Sequence, residues 1–219
     1  MTSADLQSDR TKLRRKPERG AHDFETIAAI LDEGLFCHIG FVADGQPFVV
    51  PTSYGREGRS IYVHGSAASR MLKTIGAGVR MCLTVTLLDG LVLARSAFHN
   101  SMNYRSAMVL GVAELVEGDE RGRGLRAIVE HVMPGRWEDT RPPSASELKQ
   151  TTVLRLPIDE ASAKVRSGPP VEEAEDLSLP YWGGELPLRF LAGEPIADEH
   201  VADGVALPDY LANFRRRGA

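Results

Sequence analysis

Cysteine is scarce in this chain of 219 residues, which holds only Cys37 and Cys82. They form no CxxC and no zinc-ligand spacing, which excludes a disulfide scaffold and a cysteine-held metal. Each sits in an apolar stretch, where a thiol behaves as a small buried hydrophobe, and the expected setting is reducing and cytoplasmic. Long apolar runs are missing as well. The longest, MCLTVTLLDGLVLA, is broken by Asp89-Gly90 and is too short to span a bilayer. The opening MTSADLQSDRTKLRRKPERG lacks the apolar segment of a signal peptide. Neither sign of charge dominates: 26 Lys and Arg face 30 Asp and Glu, so the whole protein offers no general field for nucleic acid. There is no GxGxxG, no HExxH among the six histidines and no repeat of 20–50 residues, which argues against a Rossmann domain, a zinc hydrolase and a solenoid.

What is present reads as short strands with tight turns, interrupted by a few helices. Residues 1–23 are polar and basic (Arg10, Lys12, Arg14, Arg15, Lys16, Arg19), a solvated arm or a charge set beside an anionic ligand or partner. From Asp23, FETIAAILDEGL has helical spacing, with Asp23 as cap and Gly34 as stop. LFCHIGFV and PFVVPTSYG make a hairpin across Asp44-Gly45, and SIYVHG is a third strand. AASRMLKTIGAG is helical. VRMCLTVTLL and GLVLARSAF are expected to form a second hairpin across Asp89-Gly90. YRSAMVLGVAELV is a long strand with Gly111 at a bulge or close approach. Helices are expected over 119–132 and near 144–150, followed by a last strand that enters a shorter one after Pro157. The order argues for an α+β protein: a 24–170 domain built on a small antiparallel barrel, then a Pro- and acid-rich extension at 171–219.

Three stretches carry chemistry. In SIYVHGSAASRMLK, Gly65 permits a sharp turn, Ser66 stands at a helix N-cap position, and Ser69 and Arg70 fall in the first turn. Unpaired backbone N–H groups, two hydroxyls and a guanidinium suit a phosphate; an ordinary capped helix with an exposed arginine has the same sequence. HGSAAS does not match GxSxG, so a nucleophilic serine is a poor alternative. In RSAFHNSMNYRSAMVLG, donors crowd between two apolar strands, with Phe98 and Tyr104 able to lie against a flat ring and Asn103, Arg105 and Ser106 able to bond it. A polar loop at a barrel mouth or a dimer interface would look alike. In PFVVPTSYG, Pro51 cannot donate to a ladder and belongs at an edge or bulge, leaving neighbouring main-chain groups free.

With these stretches in order, the chain resembles the pyridoxamine 5′-phosphate oxidase-like FMN-binding split-barrel proteins, in particular the branch with the nitroimidazole-resistance reductases. The resemblance runs from about residue 14 to residue 170 through RKPERG, DGQPFVVPTSY, YVHGSAASR, DGLVLARSAFHNSMNYRSAMVLG and EHVMPGRW, and extends through LPYWGGELPL. It implies a six-stranded antiparallel split barrel with flanking short helices, forming a homodimer with FMN at the subunit interface. By this resemblance the FMN phosphate would sit on Ser66, Ser69 and Arg70, and His64 and Gly65 would line the ribityl chain. Val50, Pro51 and Thr52 would run beside the isoalloxazine, Asn103, Arg105 and Ser106 would complete the pocket, and Trp182 would cover the ring from the partner chain. The true oxidase has a basic residue on the flavin-side strand, where this chain has PTSY, and a C-terminal arginine motif that LPYWGGELPL lacks; the vitamin-forming reaction is therefore not implied. The implied activity is oxidoreduction of a small organic substrate, with electrons from NAD(P)H. No catalytic side chain is nominated, because the flavin performs the difficult step. Relatives of this barrel also suggest a haem protein, with His64 or His99 as axial ligand, or a deazaflavin-dependent reductase.

Overall fold

The computed structural model describes residues 6–214; residues 1–5 of the basic arm and 215–219 of the extension lie outside it. A short β1 (Gly20–Ala21) precedes α1 (Phe24–Glu33), whose cap Asp23 accepts the Thr26 N–H at 2.8 Å. Next come β2 (Cys37–Ala43), β3 (Gln46–Thr52), β4 (Gly55–Glu57), β5 (Ser60–Ser66) and α2 (Arg70–Gly76). The long strands β6 (Arg80–Leu93) and β7 (Ser101–Val112) are followed by β8 (Glu114–Leu115), α3 (Gly118–Val132) and α4 (Ala145–Gln150). The chain continues through β9 (Thr151–Pro157), β10 (Glu160–Arg166), β11 (Gly184–Pro187) and α5 (Asp209–Ala212).

Two antiparallel sheets share one core, which is the expected α+β split barrel. The larger has the order β1-β10-β7-β6-β2-β3 with β11 added beside β6; the smaller has the order β4-β5-β9-β8. Alternation of burial along β2 and β6 turns Ile39, Phe41, Leu83 and Val85 inward, where they meet Ile61, Val63, Leu154 and Leu156 of the smaller sheet. Helix α1 buries Ile27, Ile30 and Leu31 against the same cluster. The β2–β3 turn is made by Asp44 and Gly45 at φ 51° and 76°, the left-handed pair that a two-residue hairpin requires. After Pro157 the chain leaves the smaller sheet, and β10 joins the larger one.

The expected hairpin across Asp89-Gly90 does not form. Strand β6 runs straight through, pairing with β7 from Arg80↔Val112 to Val92↔Ser101, with only a register shift between Leu88 and Gly90. Asp89 is held by a side chain of β7, and Gly90 lets the Leu186 carbonyl approach to where a Cβ would lie only 3.0 Å from it. The reversal falls later, where Asn100 Oδ1 accepts the Ala94 N–H at 2.8 Å and Ser96 caps a short turn at Ala97–His99. Part of the arm is anchored: Leu6 is 2% exposed within the core and Arg10 grips Glu160, while Lys12, Arg14, Arg15 and Lys16 are exposed. The extension adds β11 to β6 and later ties Tyr210 Oη to Asp139 Oδ2 at 2.6 Å.

Candidate functional site

Among the described residues strand β3 ends the larger sheet, so one side of it has no sheet partner there. Its other side pairs with β2 through Val50↔Ile39, Pro51↔His38 and Thr52↔Cys37. Pro51 therefore lies on an edge strand, where its missing N–H does least damage to the ladder. Facing this end of the chain is the β5–α2 junction. Ser69, not Ser66, is the helix cap: its Oγ accepts the Leu72 N–H at 3.4 Å. Ser66 instead opens a turn, its Oγ accepting from Ala68 at 3.1 Å and its carbonyl from Ser69 at 2.9 Å. The Ala67 N–H is drawn to the Gln150 carbonyl at 2.9 Å, which pushes the helix start three residues on.

Arg70 joins the two parts. Its guanidinium lies 4.1 Å from the centroid of the Phe48 ring on β3, a cation–π contact that sets the helix start against the edge strand. Among the described residues Arg70 makes no ion pair, and it is exposed. The two hydroxyls, this free cation and the half-paired strand thus share one side of the barrel. Phe48 was not legible as a site residue, because a phenylalanine in an apolar strand reads as core.

Asn103, Arg105 and Ser106 of β7 are placed elsewhere. Arg105 spends four of its N–H donors on carboxylates: Nε and Nη2 reach Asp89 at 2.9 and 2.7 Å, and Nη1 and Nη2 reach Glu33, the latter at 2.9 Å. These bonds, first to Asp89 and then to Glu33, push the guanidinium further toward its charged form. Asn103 donates to Glu185 Oε2 at 2.6 Å and accepts from Arg166, and Ser106 Oγ donates to the Lys164 carbonyl at 3.3 Å. Asn103 and Arg105 line a cavity of about 300 Å3 together with Asp89, Arg166 and Glu185; none of its lining comes from β3, β5 or α2. Within one chain these side chains are structural anchors, away from Arg70. Trp182 is 66% exposed and folds back over Gly184, just before β11.

His64 also points away from the β3 edge. It shares a face of β5 with Tyr62, which packs against α3, and it lines a separate cavity on that side. Among the described residues its Nδ1 is buried with no hydrogen-bond partner, and burial lowers its pKa. Gly65 keeps the strand close to α2, since a Cβ there would lie 3.1 Å from Leu72. His99 Nε2 stands 4.0 Å from the Glu173 carboxylate, and Phe98 is 89% exposed. His38, not singled out from sequence, is exposed on the outer face of β2, edge-on to Phe36 at 5.5 Å. Buried Cys37, its thiol pushed up to about 12 by burial, is a core hydrophobe. No helix among the described residues is long and apolar enough to cross a membrane.

Residues 23–165 match the family model described as pyridoxamine 5′-phosphate oxidase. The flavocytochrome Anf3 from Azotobacter vinelandii is 43% identical, with a TM-score of 0.89 over 95% of this chain and 97% of that one. The FAD and heme binding protein from Mycobacterium smegmatis is 33% identical, with a TM-score of 0.85 over 89% and 96% of the two chains. A protein described as a 5-nitroimidazole antibiotic resistance protein, from Bacteroides thetaiotaomicron, is 26% identical over 67% of this chain and 86% of that one, with a TM-score of 0.57. No curated protein matches.

Proposed function

The chain belongs to the pyridoxamine 5′-phosphate oxidase family, and from that membership we propose that it is a flavin-binding oxidoreductase whose flavin lies in the groove between β3 and the β5–α2 junction. The observation that carries this reading is the convergence of Arg70 on Phe48. It places a free guanidinium and the Ser66 and Ser69 hydroxyls beside an edge strand with unpaired main-chain groups. That set fits the two ends of an FMN unit: an anion at the serines and arginine, and a flat ring with a polar edge along Val50, Pro51 and Thr52. Bound there, a flavin supplies hydride and electron transfer; the protein's part is to hold it and to leave one face open. The named cofactors of two relatives, a flavocytochrome and an FAD and heme binding protein, support the flavin reading. The electrons come from a nicotinamide donor and pass to a small organic acceptor. The chain acts as a homodimer, because Asn103, Arg105 and Ser106 do not reach the groove within one chain and a second copy can close its open side. Replacing Arg70 with alanine removes a charge-assisted contact worth roughly 1.5–3 kcal/mol, so FMN affinity should fall about ten- to hundredfold. An unchanged affinity would refute the placement.

A second reading adds haem to the same chain, as in those two relatives. The structure favours His38 over His64 and His99 as the axial ligand. His38 projects from the outer face of the larger sheet, in one row with Pro51 and Thr84. Beside it an apolar groove of about 440 Å3 is lined by Gly40, Val42, Val49 and Leu110 together with Arg10 and Arg80. An exposed imidazole, an apolar floor and the Arg80 cation suit a planar dianionic macrocycle. Haemin titration should give a Soret shift that His38→Ala abolishes; a shift that survives would remove this assignment.

A further inference from the structure

Strand β6 pairs along one edge with two different strands, and between them its ladder is open. β2 meets it from Met81 to Thr84, and β11 meets it from Gly90 to Leu93. The Leu188 N–H extends the second pairing by one bond, to the Asp89 carbonyl at 3.0 Å. Among the described residues Val85, Thr86, Leu87 and Leu88 have no partner strand on that edge. A strand offers N–H and C=O groups to both of its edges, so this stretch leaves donors and acceptors without ladder partners.

A cavity of about 310 Å3 fills the gap, within the usual range of small-ligand pockets, roughly 300–1,000 Å3. Three pieces of chain wall it: the residues before β2, the open stretch of β6, and the residues after β11. Phe36, Leu88, Leu188 and Phe190 converge there and are all exposed, and such a gathering of large apolar groups marks a binding surface. Leu87 also borders the cavity although its side chain belongs to the core, so its main chain is what the cavity meets. Thr86 adds a hydroxyl, and Arg189 adds an exposed guanidinium that makes no ion pair among the described residues.

This lining selects a particular kind of molecule. Two phenyl rings and two leucines suit a flat ring. An unfilled ladder edge beside a hydroxyl suits a group that both donates and accepts, as a carboxamide does. An unpaired guanidinium suits a phosphate. A flat ring that carries a carboxamide and leads to a phosphate is a nicotinamide nucleotide. The position agrees with the chemistry: Phe36 directly precedes Cys37, the ladder partner of Thr52, so the cavity lies just beyond the strand end assigned to the flavin ring.

We propose that the gap between β2 and β11 seats the nicotinamide end of the electron donor, with its ring against Phe36 and Phe190, its carboxamide on the open edge of β6 and its phosphate toward Arg189. The proposal rests on the flavin reading above and deepens it by giving the donor a site of its own, separate from Arg70 and the serines.

The test is calorimetric titration of the FMN-loaded full chain with 1,4,5,6-tetrahydronicotinamide adenine dinucleotide, a donor analogue that cannot give up a hydride. The unaltered protein should bind it. Phe190→Ala and Arg189→Ala should each weaken it about tenfold or more, and Thr86→Trp, which fills the gap from the strand side, should abolish binding. FMN affinity should move by less than about threefold in all three. Retained FMN binding shows that a variant is folded; if Thr86→Trp fails that check, the two variants on the exposed 188–190 segment carry the test. Failure of the FMN-loaded protein to bind the analogue would overturn the proposal, as would analogue affinity that the variants leave intact. Loss of a dimer in these variants with analogue affinity unchanged would give the gap to a second copy and overturn it equally. Failure of the unaltered protein to bind FMN at all would instead overturn the reading on which the proposal stands.

Discussion

Arg105 has, within one chain, a structural task with a calculable consequence. Its guanidinium ties the last residue of α1, Glu33, to Asp89 on β6, so it locks a helix onto the larger sheet. The two carboxylates are not equivalent. Glu33 is 8% exposed, whereas the Asp89 side chain is 34% exposed and can be rehydrated. In Arg105→Ala the cost therefore falls mainly on Glu33, which loses two charge-assisted bonds in a buried setting. Breaking a buried pair from one side costs about 3–5 kcal/mol. We therefore expect a loss of about 3–5 kcal/mol at pH 7. Urea denaturation of both proteins measures this directly. A deficit below about 1 kcal/mol would refute the reasoning, because the Glu33 carboxylate would then not depend on Arg105.

Two further perturbations probe other joints of the structure. At Gly55 a Cβ would stand 2.3 Å from the main chain of Ala127 in α3, and backbone cannot step aside as a side chain can; Gly55→Ala should lower the urea midpoint by an amount equivalent to roughly 2 kcal/mol or more. Burial lowers the pKa of His64, so its contribution to stability is complete above the unfolded imidazole value of about 6.5 and is lost as pH falls from there toward the folded value. His64→Gln should flatten the fall in stability between about pH 7.5 and 5.5, and an unchanged slope by the same denaturation assay would show that His64 is already solvated.

Much of the barrel was legible because its signals are local. The Asp44-Gly45 turn, the Asp23 cap and the alternating strands all act within a few residues of themselves. Asp89-Gly90 has the same turn chemistry, yet β6 carries on, because the long-range grip of Arg105 and the neighbouring β11 outweigh a dipeptide preference. The placement of Ser66 missed for a similar reason: a bond from Ala67 to Gln150, distant in sequence, moved the cap to Ser69. Spacing singles out Ser66, Ser69 and Arg70 as a phosphate candidate but says nothing of Phe48, whose contact with Arg70 comes only from what the fold sets beside it. Arg105, in an equally suggestive stretch, is held within one chain by the fold's own carboxylates, a grip that no local spacing announces.

The central claim is that the β3 edge and the β5–α2 junction together hold a flavin. It is tested most directly by the absorption spectrum of the purified protein after incubation with FMN or FAD and removal of the excess. The account predicts retained flavin bands near one equivalent per chain, strongly reduced in Arg70→Ala. A spectrum without flavin bands after both incubations would contradict it.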